Sequence, residues 1–272
     1  MPAVEREAFF LDTPGGARFT LVTRPTGAIR GSIVFIPPFA EELNKSRRMC
    51  ALAADAFARD GWQVVQLDLF GTGDSPGDFG EATWAHWIED LDATVRWVET
   101  RGQQPVILWA LRAGALLAGE WNARAAIARP CLMWQPVTNG KQHLTQFLRL
   151  KSAADMLSES DAKSTPRELA EALAAGEAVE VAGYFLNPAL ASGMTAAKLE
   201  TLDRAHVIEL AGEDRLNLSP AVSRLVEKTA AGGASAKTAV VAGPAFWQTL
   251  EIEVAPNLMP ASLDALAGLK QA

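Results

Sequence analysis

The sequence predicts an α/β fold: a mostly parallel, twisted sheet with helices on both faces. Three observations carry that expectation. Short runs of β-branched and apolar residues are each followed by a longer stretch with helical spacing, and the pattern repeats. The apolar runs are continuous rather than alternating, as strands covered on both faces require. The links between strand and helix are short, which favours neighbouring, right-handed β-α-β units.

Taken in order, Glu7 to Leu11 and Phe19 to Thr23 read as an edge hairpin around Pro14-Gly15-Gly16. Gly31 to Ile36 is a buried strand ended by Pro37-Pro38, and Asn44 to Arg59 is a helix whose apolar face holds Met49, Leu52, Ala53 and Ala56. Gln63 to Leu69 is the next strand. The helix after it begins behind Thr83, an N-cap residue, and stops at Gly102. Pro105 to Ala110 is a third buried strand, and a helix over Ala113 to Ala123 follows after a turn of almost no length. Cys131 to Val137 is a fourth strand. Residues 138–203 are more polar, mostly helical and do not alternate with strands, so they read as a cap inserted into one α/β domain. His206 to Leu210, a helix over Ser219 to Ala230, and Thr238 to Ala242 complete the sheet.

Composition narrows the function classes. Of 272 residues, 49% are hydrophobic and 21% charged, so a full core is expected, and the formal charge of −7 carries no basic face suited to nucleic acid. The segment Met1 to Phe10 contains Glu5, Arg6 and Glu7 and does not read as a signal peptide. Val106 to Gly119 is too short for a membrane span and is interrupted by Arg112. Cys50 and Cys131 have no metal-ligand partners nearby and read as buried, reduced thiols of a cytoplasmic protein. No cofactor or metal motif is read.

In an open parallel sheet, ligands bind beyond the carboxyl ends of the strands. The loop after Asp68 runs Asp-Leu-Phe-Gly-Thr-Gly-Asp-Ser, a stretch similar to one that follows a strand in many α/β-hydrolases, and it reads first as a tight glycine turn. The third buried strand runs into Ala110-Leu111-Arg112-Ala113-Gly114, which has the small-x-nucleophile-x-small form of a hydrolase nucleophile elbow. The fold expected is therefore the α/β-hydrolase fold with a helical cap. The residue presented at the elbow is an arginine, whose protonated guanidinium cannot attack an acyl carbon. The loop Pro37-Pro38-Phe39-Ala40-Glu41-Glu42 lacks the glycine that often builds half an oxyanion hole, and Ala242 to Thr249 contains no histidine to act as base. Asp214, after the strand that begins at His206, stands where the catalytic acid is expected.

Four stretches resemble the α/β-hydrolase-like proteins called exosortase A system-associated hydrolase 2: Ile36 to Met49, Leu108 to Ala115, Trp134 to His143, and Phe246 to Thr249. The resemblance implies a Gram-negative cytoplasmic protein linked to exopolysaccharide and protein-sorting loci. Hydrolysis in that family is inferred from fold, and fold does not fix function.

Two readings of Arg112 stay open. It forms an ion pair with Glu41, Glu42 or Asp214, or it holds an anionic small molecule together with the free N–H groups of Ala113 and Gly114. His143, delivered by the cap, is either a general base or a hydrogen-bonded structural residue. Phe39, Leu111, Ala113, Phe246 and Trp247 are the expected pocket residues, with Phe246 and Trp247 read equally as pocket walls or as core packing, and Lys45, Arg47 and Arg48 read as a solvated helix face. Three functions compete: an unconventional enzyme with Arg112 as electrostatic stabiliser, a binding protein that keeps the pocket, and a structural component of a complex, with a homo-oligomer compatible with each.

Overall fold

The computed structural model describes residues 3–102, 105–157 and 164–269. The long hairpin β1 (Val4–Thr13) and β2 (Gly16–Pro25) leads into β3 (Ser32–Ile36), α1 (Glu41–Arg59), β4 (Gln63–Leu67), α2 (Trp84–Glu99), β5 (Val106–Leu111), α3 (Gly114–Arg124) and β6 (Cys131–Trp134). The segment after β6 holds α4 (Gly140–Leu157), α5 (Pro166–Ala174), the small hairpin β7 (Val179–Val181) and β8 (Tyr184–Leu186), and α6 (Pro188–Ala196). That hairpin adds two short strands to a segment that the sequence reads as mostly helical. The chain then returns to the sheet as β9 (Ala205–Ala211), α7 (Pro220–Ala231), β10 (Lys237–Ala242) and a final helix α8 (Leu258–Leu269).

The main sheet has the order β1-β2-β4-β3-β5-β6-β9-β10. β1 and β2 pair antiparallel, β2 joins β4 antiparallel, and every later pair is parallel. The order reverses between β4 and β3, and β3 lies beside β5, so the loops after β3 and β5 open onto the same crevice at the strand ends.

Strand alternation sorts the two cores. One face of the sheet buries Ile33, Phe35, Ile107, Trp109, Leu111 and Trp134 against α1 and α8, which contribute Met49, Phe57, Leu258 and Leu266. The other buries Val34, Ile36, Leu108, Ala110 and Met133 against Leu91, Val95, Leu116 and Val222 of α2, α3 and α7. Both cysteines are buried and unpaired, as the sequence suggests.

The glycine loop after β4 is a turn held by its own residues. Asp68 accepts from the Asp74 N–H at 2.9 Å, and a side chain at Gly73 would collide with the Asp68 carboxylate. A fully buried ion pair fixes its start: Arg18 Nε donates to Asp90 at 2.8 Å, and the other Asp90 oxygen accepts from the Phe70 N–H at 2.7 Å.

Candidate functional site

β5 ends at Leu111 and α3 begins at Gly114, which leaves Arg112 to make the turn in a left-handed conformation, φ 54°. A non-glycine residue held there is strained, and such strain concentrates at functional turns. Three main-chain hydrogen bonds hold it. The Arg112 N–H donates to the Trp134 carbonyl at 3.0 Å, and its own carbonyl accepts from Ala115 and Val137, each at 3.1 Å. Gly114 lets the turn close: an added Cβ would lie 2.4 Å from the Ile36 carbonyl oxygen and 2.8 Å from that of Pro37. The loop after β3 therefore abuts the elbow, as expected for the Pro37 to Glu42 stretch.

That loop is shorter than the sequence suggests because α1 starts at Glu41 rather than Asn44, behind Ala40 at φ 49°. Glu41 and Glu42 stand in its first turn, where the helix dipole favours anions. From there Glu42 Oε1 accepts from both Nε (3.1 Å) and Nη2 (3.0 Å) of Arg112, and Nη1 donates to the Gln135 carbonyl at 3.4 Å. The two side chains are 16% and 19% exposed, so the pair is mostly desolvated. The guanidinium also lies 5.1 Å from the centre of the Trp247 ring. Of the two readings of Arg112, the structure displays the ion pair, with Glu42 as partner. Burial pushes the Glu42 carboxyl above its ordinary pKa, against the opposing pull of the guanidinium.

Above the pair lies a cavity of about 280 Å³. Its polar lining is Glu41, Glu42, Lys45, Arg112, His143, Gln146 and Gln248; its apolar walls are Phe39, Phe147, Leu150 and Trp247. His143, Gln146, Phe147 and Leu150 follow at i, i+3, i+4 and i+7 on one face of α4, so the insertion roofs the site. The His143 ring meets Phe39 edge-on at 6.1 Å, and neither ring nitrogen has a partner. Burial and the nearby Arg112 charge lower its pKa to about 3, so the imidazole is neutral at physiological pH. Of the other two histidines, His86 packs on Phe70 and His206 lies on β9; neither lines the cavity.

Several expected site residues fall elsewhere. Asp214 is exposed on the turn after β9 and does not line the cavity. Leu111 alternates onto the α1/α8 face and is core. Ala113 is the N-cap of α3, buried in the opposite core. Phe246 is fully buried behind Trp247, 5.2 Å from its ring and 6.4 Å from that of Trp134. Lys45 departs from the solvated face read for its cluster: it lines the cavity and donates to the Leu250 carbonyl at 2.8 Å. Arg47 and Arg48 are exposed.

The sequence reading missed two polar residues behind the elbow. Gln135, at φ 44°, accepts from the Leu210 N–H at 2.7 Å and lies 3.5 Å from Glu209 Oε1. Glu209 is buried, and its other oxygen accepts from the Ser219 N–H at 2.6 Å. A glutamate inside an apolar strand was the available signal. Glu41 has a different role from Glu42: it accepts from the Tyr184 hydroxyl of β8 at 3.3 Å and from Asn44 at 3.4 Å, tying α1 to the insertion.

Among the described residues no group of three or more His, Cys, Asp or Glu side chains is arranged to hold a metal, and no helix is long and apolar enough to cross a membrane. Known structures share the fold over nearly the whole length. Est1E from Butyrivibrio proteoclasticus, with ferulic acid bound, is 14% identical with a TM-score of 0.62, and the match covers 97% of each chain. The α/β-hydrolase GrgF from Penicillium sp. sh18 is 15% identical with a TM-score of 0.62, covering 98% of this chain and 100% of that one. An α/β serine hydrolase without a lid from Xanthomonas campestris is 16% identical with a TM-score of 0.59, over 98% and 96% of the two chains. No curated protein matches significantly. The profile of Hydrolase_4 (serine aminopeptidase, S33) matches residues 27–180, more than half of the chain and the part that holds the elbow. The chain belongs to that family and has the α/β-hydrolase fold.

Proposed function

We propose that this chain is a non-hydrolytic member of its family, a binding protein that retains the hydrolase cavity to hold a small molecule. The observation that carries the proposal is Arg112 at the elbow, its guanidinium engaged twice by Glu42. A residue with no nucleophilic lone pair occupies the attacking position, and its charge is met by the protein itself. The bound-anion reading thereby loses its motive, since Glu42 already supplies the negative charge beside the α3 N-terminus. The four stretches that resemble the exosortase-linked family contain Glu42, Arg112, Gln135, His143 and Trp247, which build this site. That coincidence supports a role for the cavity at a cytoplasmic step linked to an exopolysaccharide locus.

One observation points to a second reading, an unconventional hydrolase: His143 is neutral, lines the cavity and has two unpartnered nitrogens, although a pKa of about 3 makes it a weak base at neutral pH. Fluorophosphonate labelling and turnover of short-chain aryl esters decide between them. We expect no labelled serine and no turnover above a denatured control. We also expect Arg112→Ser to remain inactive, because the loop after β10 supplies no histidine to take the proton of the new hydroxyl. Stoichiometric labelling of the parent at one serine, or ester turnover abolished by His143→Phe, refutes the binding-protein reading.

A further inference from the structure

Three polar atoms around this cavity lack partners: Glu42 Oε2 and both ring nitrogens of His143. The great majority of buried polar atoms in folded proteins are hydrogen-bonded, and leaving one without a partner costs stability. Here the orphans belong to two residues that line one cavity, Glu42 from α1 and His143 from α4. His143 is only 7% exposed, so solvent does not satisfy it.

Resting on the binding-protein reading, we infer that the cavity recognises an uncharged head group with two hydrogen-bond donors and an acceptor, such as a vicinal diol or a primary amide, carried on an apolar body. The inventory of free groups sets the chemistry. An ionised Glu42 Oε2 accepts; a neutral imidazole donates through one nitrogen and accepts through the other; and the guanidinium, with three of its five N–H groups engaged, retains two donors. The head must therefore donate twice and accept at least once. Charge is excluded by balance: the ionised lining is two acids, Glu41 and Glu42, against two bases, Lys45 and Arg112. A carboxylate would face the free Glu42 oxygen, and an ammonium would lose its hydration in a mostly desolvated site beside the Arg112 guanidinium. Phe39, Phe147, Leu150 and Trp247 supply the apolar surface for the rest of the molecule.

The three orphan atoms are covered by neighbouring protein atoms, so a head group reaches them only if the roof yields. Binding is therefore coupled to a shift of α4, the helix that brings His143.

Isothermal titration with four probes sharing a phenylpropyl body tests the inference: phenylpropanediol, hydrocinnamamide, hydrocinnamate and phenylpropylamine. We expect the diol or the amide to bind at least about tenfold tighter than both charged probes, the equivalent of one net hydrogen bond. In His143→Phe that preference should fall to within about threefold, and amide hydrogen exchange in α4 should slow when the diol or amide binds the parent. A charged probe binding tightest, a preference unchanged in His143→Phe, or no binding of any probe overturns the inference. Should His143→Phe fail to fold, the ranking on the parent decides alone. Ester turnover by the parent would instead sink the binding-protein reading, whereas a carboxylate binding tightest without turnover sinks only the head-group assignment.

Discussion

Replacing His143 by Phe converts the buried imidazole into a measurable pH dependence. The ring sits 7% exposed against Phe39 and within the field of Arg112, and its pKa is lowered to about 3, while in the unfolded chain it returns to the ordinary value near 6.5. Between those values the unfolded state holds the extra proton, so stability falls as pH falls through this window, at about 1.36 kcal/mol per pH unit. From near neutral pH to pH 4.5 the loss assigned to His143 is about 2.7 kcal/mol. Glu42 works in the opposite direction: its carboxyl is raised by burial, so it protonates first in the folded protein and gains stability as pH falls. Asp68 and Asp90 behave likewise. The parent's own pH profile is therefore mixed, and the difference between parent and variant isolates the histidine. Phenylalanine keeps the ring's bulk among Phe39 and Phe147 and removes two unpartnered nitrogens. Urea unfolding at about pH 7.5 and pH 4.5 should show the variant gaining about 2.7 kcal/mol on the parent across that interval. A difference independent of pH would refute the claim that His143 is buried and neutral.

Two further substitutions test the elbow. Arg112→Ala strands the Glu42 carboxylate and should cost about 2–4 kcal/mol, below the upper range for a wholly buried pair because both side chains keep some exposure; Arg112→Gly should recover about 1 kcal/mol of that by relieving the left-handed backbone at φ 54°. Equal stability of the two in chemical denaturation would mean that the turn carries no strain. Gly114→Ala drives a Cβ against the backbone carbonyls of Ile36 and Pro37 and should cost more than about 3 kcal/mol or abolish soluble expression, whereas Gly212→Ala, with open space around it, should leave the melting temperature nearly unchanged.

Most of the sheet was legible because its strands are continuous apolar runs and its helices keep a 3.6-residue period. What escaped the sequence depended on tertiary context. The helix α1 starts three residues early because Ala40 adopts φ 49°, a conformation alanine does not advertise, although the two acids at its start were a usable signal. The final helix, Leu258–Leu269, was missed: Pro256 and Pro260 frame its start and suggest a loop. Leu111 was taken for a pocket wall because its place beside the elbow says nothing about which side of the sheet it faces, and Phe246, read as pocket wall or core, is core while its neighbour Trp247 lines the cavity. Asp214 had the expected position after a strand, but position after a strand does not fix the length of that strand. The role of Arg112 was legible from residue type and turn pattern together, and the choice of Glu42 over Glu41 required the helix register that only the fold supplies.

The pairing of Arg112 with Glu42 also accounts for how this fold tolerates a cation at its elbow. A guanidinium placed just before the N-cap of α3 opposes the helix dipole by up to about 1 kcal/mol. Glu42 lies in the first turn of α1, where the same effect favours its charge, so a carboxylate stabilised by one helix reaches across to the cation destabilised by the other. The arrangement needs α1 to begin immediately after the Pro37-Pro38 loop, since a start at Asn44 would leave Glu42 outside the helix. It also leaves Glu42 with one oxygen bound to arginine and one buried without a partner, and both Glu42 and the unpartnered imidazole of His143 belong to the lining of the same cavity. On the binding-protein reading proposed above, the number and sign of those unpartnered groups, rather than a reactive side chain, would select what the site holds.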